Sequence, residues 1–174
     1  WFSLAQDLTR SFSVSGQMYF GYTDQGADGV VFVMQNNCVN GGTVGGGIGY
    51  RDMPGESVGV EFDTYLNDST SGNQDNGDPD YDHIAVMRDG NVSHKNTDST
   101  ITGFVQMHET LVDVEDSVWR DYEINWIAST NTLEVWFDGS LRITTTIDLI
   151  NDVFSGDQVI YWGFTSATGG SHAP

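Results

Sequence analysis

The chain has 174 residues, and its 25 acidic side chains outweigh 6 lysines and arginines to give a formal net charge of −19. With a single lysine, Lys95, it lacks the cations that a nucleic-acid reader needs to displace counterions from phosphates, and anionic membrane surfaces repel it for the same reason. The length suits one domain over residues 1–174, large enough to bury about 70% of its unfolded surface without staples, and the charge favours cations, calcium first, or neutral molecules as partners.

Glycine supplies 21 of the 174 residues and proline only 3, against a usual glycine level of about 7%. Helical periodicity is nearly absent, so turn-rich β structure is expected. An extended segment runs over Phe12–Tyr22. The run Val30–Met34 reads as a strand, and its five apolar residues fall far short of the roughly 20 that a spanning helix needs; no membrane insertion is expected. Residues 35–50 carry six glycines and read as a loop, Ser57–Asp63 as a strand, and 64–83 as an Asp- and Asn-rich loop without Lys or Arg. Strand Ile84–Arg88 follows. Farther on, Tyr122, Ile124 and Trp126 alternate with Asp121, Glu123 and Asn125, the period of a half-buried strand. A turn at Thr130-Asn131-Thr132 returns the chain through Leu133, Val135 and Phe137. Asp138-Gly139 is a two-residue hairpin signal, because both central positions require positive φ. Strand Leu141–Thr145, a short helical turn at Leu149–Phe154 and strand Val159–Thr165 complete the pattern. Without repeats or linkers, the expectation is one all-β sandwich of antiparallel sheets.

Cys38 stands alone, so disulfides are not expected to hold the domain. No basic segment followed by an apolar one opens the chain, and residue 1 is Trp; the chain is read as a mature or trimmed piece of a longer product. Its acidic, lysine-poor surface suggests secretion.

Glu61 and Asp63 project to the same side of their strand, their Cα atoms about 7 Å apart. Two such carboxylates repel unless a proton or a cation lies between them. Asn67, Asp78 and His83 follow in the loop. Carboxylate and amide oxygens suit calcium, and a His beside carboxylates suits manganese, zinc or a similar ion. A merely solvated loop would leave six aspartates between 63 and 82 uncompensated, at a cost in repulsion. An EF-hand register on Asp78, Asp80, Asp82 and Asp89 places His83 where the sharp turn needs Gly.

The segments VGVEFDTYLN and DPDYDHIAV, together with GADGVVFVMQ, GGGIGY and YWGFTSATGG in their order along the chain, resemble the legume-type (L-type) lectins, particularly their bacterial relatives. The resemblance covers about residues 10–170. It implies a concanavalin-type jelly roll that binds sugar on loops above a calcium and a second divalent ion, Mn2+ or similar. It makes Glu61 and His83 ligands of the second ion and Asp63 and Asp78 bridges to both. Calcium would also take the Tyr65 carbonyl and the Asn67 side chain. The longer insertion after Asn67 leaves Asn73 or Asn76 as substitutes, and Asp75, Asp80 and Asp82 as further ligands or solvated groups.

For the sugar, the resemblance makes Asp28 the acceptor for paired hydroxyls, after a cis Ala27–Asp28 peptide; a fixed carboxylate strengthens both bonds. Gly46 or Gly47 would donate a backbone N–H, with no side chain to block the sugar. Asn67 would donate its amide, Tyr65 would stack on the ring, and Thr168, Gly169 and Gly170 would form the remaining wall. His94, His108 and His172 read as surface or loop histidines, and Trp119, Trp126, Trp136 and Trp162 as core or strand-face residues. Plant members continue with another strand beyond the last loop, so this chain is expected to be trimmed there, and an unpaired edge would invite association; oligomeric state is unreadable.

The expected function is calcium-dependent glycan binding without catalysis, in a secreted or cell-surface adhesion module. A retaining glycosidase on the same sandwich is the first rival, since Glu61 and Asp63 begin an E-x-D-x-E pattern, but Tyr65 stands where the second glutamate belongs. A calcium-rigidified adhesin spacer without a sugar site is the second.

Overall fold

The computed structural model describes residues 1–37, 41–69 and 75–168. Among them are the strands β1 (Gln6–Asp7), β2 (Phe12–Met18), β3 (Gly29–Gln35), β4 (Ser57–Asp63), β5 (His83–Arg88), β6 (Val105–Gln106), β7 (Arg120–Ile127), β8 (Thr132–Phe137), β9 (Ser140–Thr146) and β10 (Val159–Ala167). They build a six-stranded sheet, β1-β10-β3-β4-β5-β6, and a four-stranded sheet, β2-β7-β8-β9. The strand pairings are antiparallel, so the all-β sandwich is observed.

Alternation explains the four-stranded sheet. Ile124 and Trp126 of β7, Leu133, Val135 and Phe137 of β8, and Ile143 of β9 all enter the core between the sheets. The intervening residues, such as Asp121 and Glu123, face water. The Trp126 indole N–H donates to the Leu8 carbonyl at 2.8 Å, which satisfies the one polar atom of a buried ring. Asp138 and Gly139 have φ of 47° and 78°, the mirror-image turn that the dipeptide predicts.

The six-stranded sheet follows a different rule. Every residue of β4 is buried. Val58, Val60 and Phe62 face the core, and the alternate residues Ser57, Gly59, Glu61 and Asp63 face the opposite side. There a second apolar cluster of Val31, Val33, Ile48, Tyr50, Met53, Ala85, Met87 and Val92 covers the sheet. Gly59 is required by that cover, since a Cβ would stand 2.8 Å from the Tyr50 ring. A sheet covered on both faces has no wet side, so Glu61 and Asp63 are carried into an interior closed by loops.

Three details depart from expectation. The extended segment from Phe12 ends at Met18, where its partner β7 begins at Arg120. Strands β1 and β6 have two residues each, too few to show a pattern. Trp119 lies neither in the core nor on a strand: it is 60% exposed just before β7 and leans on Tyr19, with ring centroids 5.3 Å apart. The helical turn near Leu149 is present as a π-helical turn, Leu149–Val153, capped by the Asp148 carboxylate, which accepts from the Asn151 N–H.

Candidate functional site

The antiparallel register of β4 and β5 sets His83 opposite Asp63, and Ala85 opposite Glu61. All four therefore share the outer face. The loop after β4 returns its own backbone to the carboxylates: the Tyr65 N–H donates to Asp63 at 2.9 Å and the Asn67 N–H to Asp78 at 2.8 Å. Asp63, Asp78 and His83 each bring one potential ligand atom to within 4.8 Å of the others. His83 opens a strand directly after Asp82, which rules out the EF-hand register.

A second group, Glu61, His83 and His94, meets the same distance. His94 lies in a loop, as expected, but not at the surface: its side chain is 4% exposed, and its Nε2 lies 3.1 Å from Glu61 and 3.7 Å from Asp78. Its backbone N–H donates to the Asn76 carbonyl at 2.9 Å, tying it to the acidic loop. His108 is paired with Asp138 at 3.1 Å, and His172 lies outside the described residues.

The electrostatics are those of a cation site. Burial pushes the Asp63 carboxyl well above the usual range, and the charges of Asp78 and Glu61 push it further. Asp78 is pushed up to about 6, chiefly by burial. Burial acts in the same direction on Glu61, but the neighbouring His83 and His94 rings outweigh it and hold that carboxyl low. Both Glu61 oxygens and Asp78 Oδ1 are buried without a well-formed hydrogen bond. Orphaned acceptors of this kind, on converging carboxylates and imidazoles, fit divalent cations. Glu61, Asp63, Asp78 and the histidines would hold one, and Asp63, Asp78, Asn67 and the Tyr65 carbonyl an oxygen-ligated other.

Beside the carboxylates sits Asp28, 3% exposed, just before β3. The Ala27–Asp28 peptide is cis. The Asp28 N–H donates to the Ala167 carbonyl at 2.7 Å, and its own carbonyl accepts from Thr64 at 3.1 Å. Burial raises its carboxyl, against a lowering hydrogen bond from the Asn67 amide, and Oδ2 has no hydrogen-bond partner. Gly46 lies against Asn67: a Cβ would come within 2.3 Å of Asn67 Oδ1, so contact with Asn67 already demands glycine. The Gly47 N–H is turned to the Val44 carbonyl at 3.3 Å. Thr168 is exposed, beside Ala27 and Thr64 in a shared depression. Gly169, Gly170 and Asn73 lie outside the described residues.

Asn76, the alternative to Asn67 as a ligand, is buried beside it and donates to Oδ1 at 3.4 Å and to the Gly46 carbonyl at 3.0 Å. Arg51 joins the site without any signal in its neighbours along the chain; its guanidinium donates to the same carbonyl at 3.0 Å and lies near Asp28 and Asp78. Of the remaining aspartates, Asp75 pairs with Lys95 at 2.5 Å and Asp80 is exposed.

Asp82 turns away from the site. It accepts from the Val114 N–H at 2.6 Å and faces Glu115, whose carboxyl is pushed up to about 9 by burial, then by Asp82. Glu115 oxygens have no donor among the described residues unless the pair shares a proton. The folded pKa of Glu115 exceeds its ordinary value of 4.5, so the folded state holds the extra proton between those limits and stability falls as pH rises through them. Glu115→Gln keeps the donor without the charge. It is expected to raise the melting temperature at pH 8 by about 5 °C, corresponding to roughly 2 kcal/mol, and to leave it nearly unchanged at pH 4.5; a pH series of thermal melts reads both.

The family model for the legume lectin beta-barrel domain matches residues 1–174. The chain belongs to that family, a carbohydrate-binding fold. Basic winged bean lectin, solved with Tn-antigen, is 22% identical with a TM-score of 0.72 over 97% of this chain and 68% of that one. A lectin from Bauhinia forficata, solved in complex with GalNAc, is 19% identical with a TM-score of 0.68 over 96% of this chain and 70% of that one. Among curated proteins, the pesticidal crystal protein Cry22Aa of Bacillus thuringiensis is 26% identical over 97% of this chain, which spans only 26% of that protein.

Proposed function

We propose that the chain is a calcium-dependent glycan-binding module without catalysis, acting outside the cell as a secreted or surface-displayed adhesion element. The observation that carries the reading is the adjacency of the buried carboxylate–histidine cluster to Asp28. The ions would fix the 63–83 loop, the loop would fix Asn67, and Asn67 would hold Asp28 ready for two hydroxyls. A preorganised acceptor binds without the entropy cost of ordering it first. Glu61 and Asp63 support binding over hydrolysis, because both are 1–2% exposed and turned to histidines and a loop N–H group. A neutral sugar is the ligand that suits an acidic surface, and galactose and N-acetylgalactosamine, carried by solved relatives, are the first to try.

A glycan array probed with calcium and manganese, then repeated after chelation, tests the proposal. Binding to a defined glycan class is expected, with at least tenfold loss in chelator. Binding that survives chelation, or none in either condition, would overturn it.

A further inference from the structure

His94 changes what the second ion site is. Its Nε2 lies 2.8 Å from His83 Nε2, and both nitrogens approach Glu61 Oε1, at 3.1 Å for His94 and 3.6 Å for His83. Asp78 Oδ1 stands 3.7 Å from His94 Nε2. One proton between the two imidazoles satisfies that pair alone and leaves the carboxylate oxygens orphaned. Ligands held 2.0–2.1 Å from a common ion are separated by about 2.9–3.4 Å, close to the spread observed. The Glu61, His83 and His94 atoms therefore converge on one point, with Asp78 beside His94.

The surroundings favour the same end. Phe104 meets both imidazoles edge-on, with centroids 5.8 Å from His83 and 5.1 Å from His94. An apolar wall of this kind fixes ring orientation and limits water at the ligands. His94 is also tethered from behind: its N–H donates to the Asn76 carbonyl at 2.9 Å, which holds its backbone against the acidic loop.

We infer that His94 is a direct ligand and that this two-histidine, carboxylate site selects zinc over manganese. One imidazole among oxygens suits manganese as well as other divalent ions. A second imidazole replaces a hard donor with a borderline one, which favours the later first-row ions, and zinc stands above manganese in that order. The inference rests on the proposed metal site, yet it concerns only which ion is held and by which residue.

The test is competitive loading. The metal-free protein is dialysed against calcium with equimolar zinc and manganese, and bound metal is measured by mass spectrometry beside glycan binding. The wild-type chain is expected to retain about one zinc and little manganese. His94→Ala is expected to lower zinc affinity by more than the 10–100-fold that loss of an outer-shell partner costs and to shift occupancy towards manganese, with calcium content retained. His94→Gln, which keeps volume and polarity without a strong ligand, serves as the check on folding and should behave as His94→Ala does. Unchanged zinc uptake in both variants would overturn the inference, as would manganese displacing zinc from the wild type. Glycan binding separates the two readings: a calcium-dependent signal with manganese in the site defeats the zinc assignment alone, whereas no metal uptake and no glycan signal defeat both.

Discussion

Asp28→Ala is expected to abolish glycan binding and leave the bound metals in place. Asp28 contributes no ligand atom to either metal-binding group, and its backbone is held by Ala167 and Thr64 independently of its side chain. What disappears is a carboxylate with a free, buried Oδ2. Two charge-assisted hydrogen bonds to sugar hydroxyls, each worth about 1.5–3 kcal/mol, correspond to a loss of at least 100-fold in affinity. Titration calorimetry with the array's best glycan, beside metal analysis of the same sample, reads both halves. Glycan affinity within threefold of wild type would remove Asp28 from the site, and a parallel loss of calcium would show that its role is structural.

Asp63→Asn should act in the opposite order, on metals first. Asp63 is 2% exposed, and its carboxyl faces the charges of Asp78 and Glu61. With no cation present, that charge is a burden on the fold; with cations, it would bridge the two proposed ions. The amide keeps the shape and an acceptor for the Tyr65 N–H. The variant is therefore expected to melt higher than wild type in chelator at pH 7.5, and to gain nothing when calcium and zinc are restored. Wild type at 100-fold excess over its dissociation constant should gain about 2.7 kcal/mol per ion, a rise of roughly 5–10 °C for a chain of this size. A wild-type melt indifferent to metals, or a variant that still responds to them, would defeat the bridging role.

The paired carboxylates are legible in the chain itself because strand geometry is local. Residues 61 and 63 share a face in any strand, and the run Val58, Val60, Phe62 says which face that is not. His94 is illegible for the opposite reason. It stands eleven positions after His83, and nothing in its neighbours names a partner. The one available signal is Asp89-Gly90, where φ is 56° and 67°, the same turn chemistry as Asp138-Gly139; it sends the chain back beside β5 and delivers His94 to Glu61. Trp119 and Glu115 are hidden too, since exposure and carboxyl pairing depend on which loops cover a surface. Asp28 is an intermediate case: its residues read as an ordinary turn, and resemblance alone points to it.

The amino-acid order is sufficient for whatever depends on neighbours along the chain. It sets the strand periods, the Asp138-Gly139 hairpin, the paired carboxylates, the absence of a basic surface and the family motifs. Tertiary structure alone decides that the outer face of the six-stranded sheet is roofed by the 41–53 and 89–94 segments, and that Glu61, Asp63, Asp78, His83 and His94 meet beneath them. The physical reason is range. Periodicity and turn chemistry act over a few residues, whereas a metal site is a coincidence of loop ends in space, fixed by packing between segments distant in sequence.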